Sequence, residues 1–179
     1  MKTSKLVMVL GLSLIVAGAV YVQRTRAAEG TPSLTTADYV EIQNLYAKYN
    51  HYVDSGKDEG RAAANLFTKD GVFHINLQTK RVVRGHDELV TLYKGAGAPA
   101  SVVRAAHHAV NVMIEPSPTG ATGAAFLVML SSPTLGTTET GLSAIYSDDL
   151  VRTPAGWRWK QRVLNIATPR TPPAPAKAN

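Results

Sequence analysis

The sequence predicts an α+β domain with helices first and an antiparallel sheet second. Three observations carry this. A helix-period apolar pattern fills residues 35–53, alternating patterns dominate from Val72 onward, and turn tetrads punctuate the second half at Ser117–Gly120 and Thr153–Gly156.

The first helix is read over Thr35–Val53. Ile42, Leu45, Tyr46, Tyr49, Tyr52 and Val53 recur at three- and four-residue steps, Thr35 with Asp38 forms an S/T-x-x-D start, and Gly56 supplies the stop. A short second helix is expected over Asp58–Phe67, closing at Thr68–Gly71. Strands follow at Val72–Leu77 and Lys80–Arg84, then a third helix over Asp87–Tyr93 with Asp87 as N-cap and a Gly/Ala/Pro loop over Gly95–Ala100. Arg104–Glu115, Ala121–Ser131, Gly141–Arg152 and Trp157–Ala167 read as the four strands of the second half.

Asp54 stands out against this helix. It lies in the last turn beside the negative end of the helix dipole, where it costs roughly 0.3–1 kcal/mol relative to a lysine. A carboxylate kept there, next to an aromatic–aliphatic face, is a candidate for proton transfer. The plain alternative is a solvated Asx-type helix end.

Composition narrows the function classes. The net charge of +6 is concentrated at the ends. Lys2, Lys5, Arg24 and Arg26 against Glu29 place +3 in residues 1–29, and Arg170 with Lys177 places +2 in the tail, leaving the domain at +1. No basic stripe with interleaved aromatics is present, so nucleic acid is not an expected partner. The chain has no cysteine, which excludes thiol catalysis, disulfides and cysteine-ligated metal. Residues 1–29 have the charged-then-apolar layout of a secretory signal peptide, Lys2 and Lys5 preceding the run Leu6–Val22. Cleavage fits Ala17-Gly18-Ala19 better than Thr25-Arg26-Ala27, and an uncleaved N-terminal anchor is the alternative membrane attachment. The domain is therefore expected to be exported, periplasmic or secreted. The Pro/Ala tail Pro169–Asn179 reads as disordered.

Several segments, in order, resemble one superfamily. Leu66-Phe67-Thr68-Lys69-Asp70-Gly71-Val72-Phe73 resembles the "LFxxDGVF" segment of nuclear transport factor 2–like proteins, Arg84–Leu89 their "xGxxxL" start of the third helix, and Gly156-Trp157-Arg158-Trp159 the start of their last strand. The resemblance spans about residues 34–168 and implies a curved antiparallel sheet whose N-terminal helices help enclose a conical pocket. Within that superfamily the chain is similar to SnoaL-like proteins of the scytalone dehydratase, bile acid 7α-dehydratase and hexachlorocyclohexane dehydrochlorinase type. Tyr52-Val53-Asp54 resembles the dehydrochlorinase aspartate segment, and His107-His108-Ala109-Val110-Asn111 the H-x-x-x-N pattern whose first histidine is the catalytic base there. Arg162 matches an arginine of the last strand, and Tyr49 a tyrosine of the bile acid enzyme. Two features depart from the relatives: the strand Ala121–Ser131 lacks the bile acid enzyme's further aspartate, and Ile75 stands where ketosteroid isomerases place their base.

The resemblance implies Asp54, His107, Arg162 and Tyr49 as catalytic residues. Asp54 would fix the His107 tautomer, His107 would remove a proton from carbon, and Arg162 would stabilise developing negative charge. The alternative for Arg162 is a solvated charge alternating with Arg158 and Lys160. Strict alternation puts His107, Ala109 and Asn111 on one face of their strand and His108, Val110, Val112 and Ile114 on the other. Asn111, Tyr52 and His74 are the candidate substrate-binding residues, although Tyr52 also suits a core position. Adjacent histidines on a strand cannot share a metal ion and no H-x-x-x-H or carboxylate cluster lies nearby, so no metal is expected, and the chemistry that the resemblance implies needs no cofactor. Two functions remain open: a cofactor-independent, dehydratase-like lyase acting on a small, mainly apolar oxygenated molecule, or an exported binding protein for such a molecule. A homo-oligomer is expected, with Val110, Val112 and Ile114 as an outer-sheet contact.

Overall fold

The structure is a computed structural model that describes residues 32–96, 104–132, 134 and 136–167, and the account below concerns these residues. The expected signal segment 1–29, the outer part of the Gly/Ala/Pro loop (97–100) and the Pro/Ala tail lie outside them. Among the described residues no helix is long and apolar enough to cross a membrane.

Helix α1 runs Thr36–Ser55, as the periodicity requires. Its start is a reciprocal capping box: the Asp38 backbone N–H donates to Thr35 Oγ1 (3.2 Å), and the Thr35 backbone N–H donates to Asp38 Oδ2 (2.9 Å). Gly56, at φ 60°, ends it in the left-handed conformation that glycine adopts without steric cost. The expected second helix is shorter than its apolar pattern suggested. A 3₁₀ turn at Lys57–Gly60 leads into a single helical turn, α2, at Arg61–Ala64. Leu66 and Phe67 are buried against the core rather than continuing the helix, and strand β1 already begins at Phe67, spanning Phe67–Asn76. Strand β2 is Lys80–Arg84 and helix α3 is Gly85–Ala96, so Asp87 sits in the first turn and not at the cap. Strands β3 (Arg104–Ser117), β4 (Gly120–Ser132), β5 (Glu139–Thr153) and β6 (Gly156–Ile166) complete the domain.

The six strands form one sheet in the order β2-β1-β6-β5-β4-β3. Four of the pairings are antiparallel, whereas β1 and β6 run parallel, Phe73 opposite Arg162 and His74 opposite Val163. The last strand thus inserts beside the first, joining the helical half of the chain to the meander. Register shifts in β1–β6, β3–β4, β4–β5 and β5–β6 mark bulges, which bend a sheet and increase its twist. Helix α1 packs Ile42, Leu45, Tyr46, Tyr49 and Val53 onto the concave face, where Trp157, Trp159, Tyr146, Leu127 and Phe73 close the core.

Two bulges change which side chains face inward. In β3 the pairing shifts between Val110 and Met113, and Asn111 takes φ 53°. Val112 and Ile114 consequently join Ala109 against the core, while Val110, Met113 and Phe126 are the exposed apolar residues of the outer face. The expected outer row of Val110, Val112 and Ile114 is therefore split. In β5–β6 the shift lies between Asp149 and Leu150, with Leu150 opposite Trp159 and Asp149 opposite Gln161. Lys160 is the extra residue, and past it Arg162 points to the concave side that Trp157 and Trp159 occupy.

Candidate functional site

Asp54 and His107 meet. The final turn of α1 lies against the start of β3, and His107 Nδ1 is 2.5 Å from Asp54 Oδ1. The His107 backbone N–H donates to Asp54 Oδ2 at 2.9 Å. Strand β3 is a sheet edge, whose outward N–H groups have no strand partner, so one carboxylate both caps that edge and holds the ring. The two side chains retain 19% (His107) and 25% (Asp54) of their exposure, which makes them reachable without being immersed in bulk water. With Nδ1 engaged, Nε2 is the ring nitrogen without a protein partner among the described residues.

His107 also forms part of the wall of an apolar chamber of about 200 Å³. Tyr49 and Val53 of α1, Leu92 and Tyr93 of α3, Phe73 and Ile75 of β1, and Leu127, Tyr146 and Leu164 of the sheet line it, and it is open on one side. Its polar equipment is the imidazole and three phenols. Tyr93 Oη donates to Tyr49 Oη at 3.4 Å, and the Tyr49 ring meets Tyr93 and Tyr146 edge to face, with centroids 5.7 and 6.2 Å apart. Burial, reinforced by the neighbouring Tyr49, pushes the Tyr93 and Tyr146 hydroxyls well above the ordinary phenol range. Both stay protonated at any physiological pH and act as neutral hydrogen-bond donors.

On the other side of His107, a groove between α1 and β3 is lined by Asn50, His51, Asp54, His108 and Val110 among others. His107 thus borders both the inner chamber and the outer groove, whereas Asp54 lines the outer groove alone. Among the described residues no cluster of three or more histidine and carboxylate side chains is arranged to hold a metal ion.

Arg162 is placed differently from its expected role. It is fully buried and pairs with Asp148 through Nε to Oδ1 (2.9 Å) and Nη2 to Oδ2 (2.7 Å). Its guanidinium carbon lies 3.8 Å from the Trp159 ring centroid, 4.0 Å from Tyr146 and 4.5 Å from Tyr49. Tyr46 Oη donates to Asp148 Oδ2 at 2.5 Å. Burial alone would favour the neutral guanidine, but the adjacent Asp148 carboxylate outweighs it and holds Arg162 charged, well above its usual range. Among the described residues Nη1 has no hydrogen-bond partner, and the aromatic faces around it supply cation–π attraction instead. Arg162 is not part of the chamber wall. It stands behind Tyr49 and Tyr146, as a buried counter-ion and not a side chain able to touch a bound molecule in this arrangement.

The remaining candidates divide by geometry. Tyr49 is in the chamber wall. Tyr52 faces a separate groove with Lys48 and Trp157, and Lys57 Nζ lies 4.8 Å from its ring centroid. His74 alternates with Phe73 and Ile75, both of which line the chamber, and so projects to the opposite face. The bulge takes Asn111 off the inner face and leaves it exposed. Three residues of the site escaped the sequence reading: Tyr93, Tyr146 and Asp148. The signal for two of them was in Gly141–Arg152, where Leu142, Ala144, Tyr146, Asp148 and Leu150 share one alternating face.

Solved structures share the architecture. A nuclear transport factor 2–like protein with a cystatin-like fold from Novosphingobium aromaticivorans is 23% identical, covering 82% of this chain and 87% of its own, with a TM-score of 0.63. A protein of unknown function from Mycobacterium tuberculosis, studied as an Asp-to-Asn variant, is 28% identical over 75% of this chain and 74% of its own, with a TM-score of 0.62. A protein from Catenulispora acidiphila, solved in complex with S-DNPA, is 24% identical over 73% of this chain and 93% of its own, with a TM-score of 0.60. No curated protein matches the sequence. Residues 35–163 match the SnoaL-like domain, and the chain belongs to that family of the nuclear transport factor 2–like superfamily.

Proposed function

We propose that this domain is a cofactor-independent lyase, removing water or a comparable small group from a mainly apolar, oxygenated molecule bound in the chamber. The observation that supports it is the hydrogen bond from His107 Nδ1 to Asp54 at the wall of an otherwise apolar space. Asp54 selects the tautomer that leaves Nε2 unprotonated, and its carboxylate stabilises the imidazolium formed when Nε2 accepts a proton.

The steps balance within the protein. His107 Nε2 takes a proton from a carbon next to a carbonyl, and the electron pair moves to the carbonyl oxygen. A phenol of Tyr49, Tyr93 or Tyr146 donates a hydrogen bond to that oxygen as its charge grows. The electrons then return, the bond to the β-hydroxyl breaks, and the imidazolium gives its proton to the departing oxygen, so water leaves and His107 is neutral again. Arg162 acts from behind the phenols as a fixed positive charge, without touching substrate.

The test is a panel of β-hydroxy carbonyl compounds assayed with the wild type, His107→Ala and Asp54→Asn. Turnover is expected to fall by at least ~10²-fold in His107→Ala. Unchanged turnover in both variants would refute the lyase and leave a binding protein on the same scaffold. Residues 1–29 we take as an export segment. N-terminal sequencing of exported protein should begin after Ala19 or Ala27, or at Met1 in a membrane fraction if the segment anchors; intact protein confined to the cytosol would refute export.

A further inference from the structure

The apolar chamber does not end at the core. A second hollow of about 460 Å³ abuts it, and the two share Ile75, Leu77 and Leu142 as common wall. The outer hollow is bounded by the β1–β2 hairpin, and one charged side chain lines it: Arg81. Strand register accounts for the placement. Val83 pairs with Phe73 and is buried, Arg81 pairs with Ile75, and residues two apart share a face. Arg81 therefore lies on the concave side, beyond the last buried apolar pair. Its guanidinium has neither an ion-pair nor a hydrogen-bond partner among the described residues, unlike Arg152 and Arg162, which are both paired with aspartates.

Two apolar spaces in series, with an uncommitted guanidinium at the open end, define a ligand shape. We propose that the hollow takes an elongated apolar molecule ending in a carboxylate, its body in the chamber and its anionic end on Arg81. Arg81 is then a specificity-determining residue, selecting carboxylates because its planar fork matches their two oxygens. This rests on the chamber being the ligand site, as in the reading above, but not on His107 performing chemistry.

Titration calorimetry with phenylbutanoate, phenylhexanoate and phenyloctanoate, each compared with its primary amide, tests the assignment. The wild type is expected to prefer the acid by about three- to fivefold at low salt, the modest margin of an exposed ion pair, and to lose that margin as salt is added. Arg81→Gln should abolish the preference while leaving amide affinity unchanged. Its thermal melt should match the wild type, since the side chain has no ion pair or hydrogen bond to lose among the described residues. His107→Ala should keep the preference, so a failure of the lyase reading is distinguishable from a failure of this one. Equal affinity for acid and amide in the wild type, a preference that survives in Arg81→Gln, or no binding across the panel would each overturn the proposal.

Discussion

Two of the domain's carboxylate–nitrogen pairs, Asp148–Arg162 and Asp54–His107, differ in their access to solvent. Asp148 and Arg162 are both wholly enclosed, matched through two hydrogen bonds and roofed by aromatic rings. Asp54 and His107 are joined as closely but remain partly open, with His107 bordering both the chamber and an outer groove. A sealed pair cannot change protonation without stranding a charge, so it serves the fold. A half-open pair is within reach of a bound molecule, which the proposed proton transfer requires. Under the proposed function similar residue types take opposite roles, decided by whether the strand bulge next to them turns the side chain into the core or the helix end leaves it at an opening.

The sharpest way to break this contrast is to open the sealed pair. Arg162→Ala leaves Asp148 buried and unpaired and is expected to destabilise the domain by about 3–5 kcal/mol, read by chemical denaturation. A loss below about 1 kcal/mol would mean that the pair is not the buried anchor described here. His107→Ala should behave in the opposite way, with near-native stability and turnover lowered by at least ~10²-fold, about 2.7 kcal/mol of barrier. Equal damage to stability and activity in that variant would erase the distinction between the pairs.

A smaller effect is expected at Gly123, which pairs with Asp148 across the β4–β5 ladder. A Cβ there would collide with the Tyr46 hydroxyl, the group that donates to Asp148. Gly123→Ala should cost about 1–3 kcal/mol by displacing that phenol, without altering ligand binding in the chamber. Thermal melts and titration of the same sample separate the two outcomes.

How far these features were legible in the sequence follows from the same bulges. Helix α1, its caps and nearly every strand could be read, because each is a local period or a local turn signal. The meeting of Asp54 with His107 was reached through the family resemblance, and the positions of both on their elements agree with it. What alternation could not convey was a change of phase. One extra residue at Asn111 removed a binding candidate from the inner face and drew Val112 and Ile114 into the core. Another at Lys160 carried Arg162 inward to a buried ion pair with Asp148, away from both the substrate contact and the solvated position expected of it. Asp148 was visible as the single acid in an apolar alternating row, but its partner's inward turn was not, so nothing in the pattern explained it.

The smallest predicted effect concerns acid stability. Hydrogen bonds from Thr35 and Trp157, with Arg152 close by, hold the Asp38 carboxyl at about 2. Its folded value is below the ordinary ~3.9 of an unfolded chain, so its contribution is complete above that value and lost as pH falls through about 2. Asp38→Asn should therefore melt below the wild type at neutral pH, with the gap closing as the solution is acidified across that window. A gap independent of pH would assign the loss to packing.

The proton inventory of His107 is the most direct test of the central claim. Long-range proton–nitrogen correlation spectra at neutral pH should show Nδ1 protonated and Nε2 bare in the wild type, with that tautomer lost or averaged in Asp54→Asn. An Nε2-protonated ring in the wild type would contradict it, because the nitrogen not held by Asp54 would then have no lone pair to accept a proton.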